Sequence, residues 1–167
     1  FPLMSLAEPS KAAVLDRSGW PSLDRVVETV LLDAGTGEAT LTQVSLTEDR
    51  LLAKRAIDVA ADGQPPLTQE EMETVGDVVK ADQRWRAAIT TRGITDVDLV
   101  CVCPLSAGNF DLAGEHGRRL VRCLSFARNR PTDSPWAHPI DGLVAYVDLI
   151  SRTVNPANGC TIWNVPS

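Results

Sequence analysis

Hydrophobic and polar positions change their period once along this chain, near residue 62, and the change divides it. Before that point the period is two. Arg25 to Leu32 reads R-V-V-E-T-V-L-L, a β-branched run with strand character. Asp33-Ala34-Gly35-Thr36-Gly37 follows as a turn whose glycines tolerate positive φ. Alternation then resumes, with Ala39, Leu41, Gln43 and Ser45 on one face and Thr40, Thr42, Val44 and Leu46 on the other. The two runs predict a hairpin. A further strand is expected from Leu51 to Ile57, and another from Phe1 to Leu6, closed off by Pro9. Arg17 to Ser22, with Gly19, Trp20 and Pro21, reads as a loop.

Asp62-Gly63-Gln64-Pro65-Pro66 is the linker candidate. Beyond it the period becomes helical. Thr68-x-x-Glu71 has the spacing of a capping box, and Met72, Val75 and Val79 make one apolar stripe. Asp82 is placed to cap a second helix carrying Trp85, Ala88 and Ile89, which stops at Arg92-Gly93. Three strands are expected next: Val97–Cys103, ended by Pro104; Leu120–Ala127; and Leu143–Ile150, nearly all apolar and so central. The connections are Ser106 to Gly117 and Asn129 to Gly142, the latter long and holding three prolines. Val30-Leu31-Leu32-Asp33 and Tyr146-Val147-Asp148-Leu149, each before a turn, hint at an internal repeat. A helix laid across an antiparallel meander is an α+β unit, and two such units in tandem fit 167 residues.

Composition narrows the function classes. Apolar residues make up 44% and charged residues 23%, the balance of a chain that folds on a core. The net charge of −6 argues against an electrostatic grip on nucleic acid or anionic lipid. No apolar run approaches the roughly 20 residues that cross a bilayer. No basic segment precedes an apolar one, so a reducing, cytoplasmic setting is the default expectation. The four cysteines (Cys101, Cys103, Cys123 and Cys160) contain no C-x-x-C pair. They read as buried small apolar residues ahead of metal ligands. Histidines number two, His116 and His138, and there is one tyrosine, Tyr146. A site of three imidazoles cannot be built from one copy. Gly35-x-Gly37 opens no helix, and no serine lies in G-x-S-x-G. Gly114-Glu115-His116-Gly117-Arg118-Arg119 reads as a solvated turn entering a strand. Asp133-Ser-Pro-Trp-Ala-His-Pro139 sets Trp136 in a proline-stiffened loop, as the wall of a cleft or as a lid over its own sheet.

Three segments together are specific. Cys103-Pro-Leu-Ser-Ala-Gly-Asn-Phe110, Gly117-Arg-Arg-Leu-Val-Arg122 and Asp133-Ser-Pro-Trp-Ala-His-Pro-Ile-Asp-Gly-Leu-Val-Ala-Tyr-Val-Asp148 closely resemble the copper-dependent primary-amine oxidases, above all the bacterial ones. The resemblance is strong from Leu67 to Asp148 and reaches back to Val26. It implies an α+β fold of two tandem cystatin-like domains, helix packed on antiparallel sheet, with the first incomplete. The domains would be 1–62, strands only, and 63–167, helix then sheet. In that family such domains precede a catalytic β-sandwich that converts primary amines to aldehyde, ammonia and hydrogen peroxide. That sandwich uses copper held by three histidines and a topaquinone made from a tyrosine in an Asn-Tyr-Asp/Glu setting. Here Tyr146 lies in Ala-Tyr-Val and no Asn-Tyr occurs, so neither copper nor topaquinone is expected in this chain. What the resemblance carries over is peripheral. Leu105 and Trp136 match positions lining the substrate channel, and Met72 matches a third.

The expectation is therefore the non-catalytic amino-terminal region of a copper amine oxidase, inactive alone. Its partners would be the catalytic domain of the same protein and, in the whole enzyme, a primary amine. The alternative is a stand-alone cystatin-like binding module. If the first sheet lacks a covering helix, its bare apolar face favours self-association, with a homodimer as the simplest outcome.

Overall fold

The computed structural model describes residues 3–16, 24–108, 115, 117–155 and the backbone of 161–162. The Arg17–Ser22 loop, the middle of the Ser106–Gly117 connection, His116 and Cys160 lie outside these residues, as does Phe1. The chain forms two compact units, Phe1–Pro66 and Leu67–Ser167.

The first unit holds β1 (Leu3–Leu6), α1 (Lys11–Leu15), β2 (Val26–Leu32), β3 (Ala39–Ser45), β4 (Arg50–Ala56) and α2 (Val59–Asp62). The strands form an antiparallel meander in the order β1-β2-β3-β4. The β2–β3 hairpin closes where Leu32 faces Ala39. Asp33 folds the turn, its Oδ1 accepting from the amides of Gly35 (2.8 Å) and Thr36 (3.1 Å), with Gly37 at φ +78°. α1 and α2 are single turns that the periodicity does not show. Neither buries a residue; each exists because Ser10 or Asp58 caps it with a side-chain oxygen. One face of the sheet carries exposed apolar side chains: the registers put Met4, Leu6, Leu31 and Leu51 on it with half-buried Val27 and Val44, alongside Thr29, Thr40, Thr42 and Lys54. Among the described residues no helix of this unit contributes a buried side chain to cover it.

The second unit is built from α3 (Gln69–Ala81), α4 (Gln83–Thr91), a 3-10 turn (Val97–Leu99), β5 (Val100–Ser106), β6 (Leu120–Ala127), β7 (His138–Asp148), β8 (Thr153–Val154) and β9 (Thr161–Ile162). The sheet order is β5-β6-β7-β8, with β9 also on β7, all pairings antiparallel. Together the two units make an α+β protein. The capping box forms as its spacing predicts: Thr68 Oγ1 accepts from the Glu71 amide (3.2 Å), and Glu71 Oε2 accepts from the Thr68 amide (2.8 Å). Asp82 Oδ1 caps α4 by accepting from the amides of Arg84 (2.8 Å) and Trp85 (3.1 Å). The helices bury Val75, Val79, Trp85, Ala88 and Ile89 against Val100, Val121, Cys123, Leu143, Ala145 and Val147 of the sheet. Trp85 is fully enclosed, and its indole Nε1 donates to Ser125 Oγ at 3.0 Å. That bond meets the sheet at the register irregularity between Leu124 and Phe126.

Two strand boundaries differ from expectation. Residues 97–99 form the 3-10 turn, and β5 runs from Val100 to Ser106 straight through Pro104. β5 is the sheet edge, where half of a strand's amides face no neighbour, so a proline is tolerated. β7 starts at His138 rather than Leu143 and ends at Asp148, so most of the expected loop's second half is strand. Gly142 falls in the stretch that the register shift skips, while Pro139 lies beyond it, opposite Phe126.

Candidate functional site

Burial alternates along β6 and β7 and so assigns the two faces of the second sheet. Val121, Cys123, Ser125, Leu143, Ala145 and Val147 are buried on the helix side. Arg122, Leu124, Phe126, Val144 and Tyr146 are half-buried on the outer side. The register arranges that outer face in rows. Cys101 faces Phe126; Cys103 faces Leu124, which faces Val144; Leu105 faces Arg122, which faces Tyr146.

Two of the three residues that the resemblance singles out, Leu105 and Trp136, belong to this face. Leu105, 37% exposed, stands in the last of those rows. Trp136, 52% exposed, sits edge-on to Phe126 with ring centroids 5.4 Å apart and planes at 87°. Phe126 is in the first row, so the two residues mark opposite ends of the face, four strand positions apart, or roughly 13 Å at about 3.3 Å per residue. Cys103, Leu124 and Val144 floor the space between. Met72 lies elsewhere, half-exposed on α3 in the helix layer.

Trp136 is held by more than its contact with Phe126. The loop before it is folded by Asp133, whose Oδ2 accepts from the amides of Asn129 (3.1 Å) and Arg130 (2.9 Å). Ser134 Oγ accepts from the Trp136 amide at 3.3 Å.

The segment does turn at exposed Gly117 before entering β6, but Arg119 is not solvated. Arg119 is 3% exposed, and its Nε and Nη2 donate to Glu71 Oε1 (2.5 Å) and Oε2 (2.6 Å). One carboxylate thus ties the first turn of α3 to the start of β6 and completes the capping box. Burial pushes the Glu71 carboxyl up, but the Arg119 guanidinium and the Thr68 amide outweigh it and hold the group below its ordinary value. Arg118 pairs with Asp148 at the end of β7 (2.7 Å). Burial raises Asp148 too, and the Ser151 amide, Arg118 and the Ile150 amide together bring it below the usual range. These pairs brace the scaffold. Burial pushes the Cys123 thiol up to about 12, so it stays protonated and unreactive.

Among the described residues no three His, Cys, Asp or Glu side chains converge to hold a metal ion. The donors that three-imidazole copper ligation needs exceed the two histidines of the sequence. Tyr146 is a half-buried strand residue of β7. A shallow groove of about 280 Å³ runs between Gly76 and Lys80 of α3 and Cys101 and Val102 of β5. A second, polar one lies by Asp77, Arg86 and Asp98. Neither includes Met72, Leu105 or Trp136, nor gathers a catalytic set.

Sequence reasoning passed over Arg122. It alternates with Leu120, Leu124 and Phe126, and a lone charge in an apolar alternation was the available signal.

Comparison with known proteins gives a consistent result. The family model described as copper amine oxidase, N3 domain, matches residues 70–162. Histamine oxidase of Arthrobacter globiformis is 41% identical over 156 residues, covering 93% of this chain and 22% of the relative. A primary amine oxidase of an Arthrobacter species is 35% identical over 146 residues, 87% of this chain and 19% of the relative. The crystal structure of a copper-containing benzylamine oxidase from Hansenula polymorpha shares the fold, with a TM-score of 0.63 and 12% identity over 92% of this chain and 25% of that one. The chain thus spans about a fifth of the length of the curated relatives it matches.

Proposed function

Since the chain belongs to the copper amine oxidase family, with an N3 domain in its second unit, we propose that it is the non-catalytic amino-terminal region of a primary-amine oxidase and shapes the channel that admits the amine. The observation that carries this reading is coverage. The family match fills most of the second unit, while the chain's match covers only 22% of a relative named as an oxidase. In this reading residues 1–62 are an incomplete first cystatin-like domain and 63–167 the second. Copper and topaquinone, which supply the oxidation of amine to aldehyde with release of ammonia and hydrogen peroxide, belong to the part of the protein beyond these residues. No step of that chemistry is assigned to side chains of this chain.

The role of the chain's own residues is binding and exclusion. Leu105 and Trp136 present apolar surface at two ends of one sheet face, and Trp136 is braced by Phe126 and its folded loop. Apolar wall area stabilises the hydrocarbon tail of an amine at about 25 cal/mol per Å² removed from water. That offsets part of the cost of stripping water from the ammonium end. Met72, on α3 in the helix layer, is not placed with these two and is left out of the wall.

The test uses the full natural gene product. If it encodes a downstream oxidase, Trp136→Ala is expected to change the kcat/KM ratio between arylalkyl and short aliphatic amines by about tenfold. An unchanged ratio, with unchanged inhibition by bulky amines, refutes the wall role. A gene that ends without a catalytic domain favours the stand-alone binding module instead.

A further inference from the structure

We propose that Cys101 and Cys103 together form a two-thiolate site for a soft monovalent metal ion, Cu(I), with the Arg122 guanidinium balancing the charge of the complex. The site is separate from the three-imidazole copper of the family, which two histidines cannot supply. It stands whether or not the channel reading does.

The first observation is placement. Cys101 and Cys103 are free, half-buried thiols. They lie two positions apart on β5, opposite Phe126 and Leu124, so both side chains stand on the outer face of the second sheet. Burial pushes the Cys103 thiol up and Cys101 adds to the rise, which puts the two groups within electrostatic reach of each other. The second observation is spacing, which admits a metal and refuses a disulfide. Two strand positions separate the Cα atoms by about 6.6 Å, and parallel side chains keep the Cβ atoms about as far apart. A disulfide needs Cβ atoms roughly 3.5–4.5 Å apart. Two metal–thiolate bonds of about 2.3 Å span roughly 4.6 Å in a line, which each sulfur meets by leaning about 1 Å towards the other. Thiolates are soft ligands and suit Cu(I). Structural zinc wants four ligands, and among the described residues no three donors gather. Cys123 is buried on the opposite, helix-covered face.

The third observation is an orphaned cation beside the pair. Two thiols lose two protons on binding Cu(I), so the complex carries one negative charge. Arg122 stands on the same face, opposite Leu105 and diagonal to Cys103. Diagonal neighbours are about 7–8 Å apart, within reach of a long side chain. Arg122 Nε is sealed from solvent and, among the described residues, has no hydrogen-bond partner. Its neighbours across the strands, Leu105 and Tyr146, bring no anion. A guanidinium is not deprotonated to escape such a site. A thiolate on Cys103 gives that N–H an acceptor and the charge a counterion.

The test titrates the natural gene product with Cu(I) under anaerobic conditions, in competition with the chromogenic chelator bicinchoninate. Parent and variants are compared, so copper held elsewhere in the protein cancels. Cys101→Ser and Cys103→Ser should each lose one equivalent of tightly held Cu(I), with Cys101→Ala and Cys103→Ala giving the same answer should a serine variant fail to fold. Zn(II) should not compete for that equivalent. Arg122→Gln should weaken it about tenfold, and Arg122→Lys should stay close to the parent. Equal Cu(I) stoichiometry in the parent and the cysteine variants overturns the proposal. So does an equivalent that only one of the two cysteines controls, which assigns the ion to another thiol. Competition by Zn(II) assigns the site to a larger ligand set and also overturns it. An unchanged affinity in Arg122→Gln refutes the part given to the guanidinium. None of these results depends on amine selectivity in Trp136→Ala, so failure here and failure of the channel reading are told apart.

Discussion

Arg119→Met is the substitution that most directly tests how the second unit is held together. Methionine keeps the length of the stem and removes the guanidinium. Glu71 then remains at the start of α3 with its side chain 14% exposed, accepting from the Thr68 amide but stripped of its two bonds to Arg119. Removing one partner of a buried pair costs about 3–5 kcal/mol. The residual exposure of Glu71 puts this case at the lower end, about 3 kcal/mol. With a urea slope of roughly 1.5 kcal/mol per molar, the midpoint for the second unit should fall by about 2 M. The pH dependence carries the sign. In the native pair the Glu71 carboxyl sits below its ordinary value, so its stabilisation is complete above the carboxylate range and is lost as pH falls through the folded value. Without Arg119, burial acts against the charge and raises the group. Protonation then relieves a cost, and the gap between mutant and parent should narrow as pH falls through the ordinary carboxylate value of about 4.3. Urea melts followed by far-UV circular dichroism, with hydrogen exchange of residues 69–81, give the measurement. The double variant Glu71→Gln/Arg119→Met, which keeps an acceptor for the cap, should recover part of the loss. A shift under about 0.5 kcal/mol for Arg119→Met, or a gap that widens in acid, would refute the account.

Trp85→Phe should cost about 1–3 kcal/mol, because it leaves Ser125 Oγ enclosed without the indole donor it now faces; an unchanged thermal midpoint would mean the bond is not formed. Thiol labelling of the native short chain at mildly alkaline pH should modify Cys123 far more slowly than Cys101, since its thiol is pushed up to about 12 and is fully buried. Comparable rates would place Cys123 at the surface. Exposed Met4, Leu6, Leu31 and Leu51 on one face of the first sheet should make the isolated chain self-associate, and Leu31→Lys should weaken that. Sedimentation velocity showing only monomer at every concentration would dispose of the idea.

The two turns of the suggested repeat are each folded by an aspartate, at positions offset from the sequence alignment. Asp33 lines up with Leu149, yet its structural counterpart is Asp148. Each aspartate ends a strand and accepts from the amides two and three residues on: Gly35 and Thr36 in one case, Ile150 and Ser151 in the other. The matching turn is an Asx arrangement set by one side chain, which residue identity at neighbouring positions does not report.

What the residues determined unaided was whatever depends on near neighbours. The capping box at Thr68 and Glu71, the Asp82 cap, the β2–β3 hairpin and the faces of β6 follow from side chains a few positions apart. The single turns α1 and α2 escaped, having no apolar stripe to announce them. The resemblance brought Leu105 and Trp136 into view, but spacing could not place them at two ends of one face with Met72 in another layer. Only the folded chain decided that Pro104 continues a strand, because only the sheet order makes β5 an edge. Only it brought Arg119 to Glu71 across 48 residues and, among the described residues, left Arg122 Nε enclosed without an acceptor. Charge pairing over such separations depends on which strands lie side by side, and that is settled by the burial of the whole core rather than by local pattern.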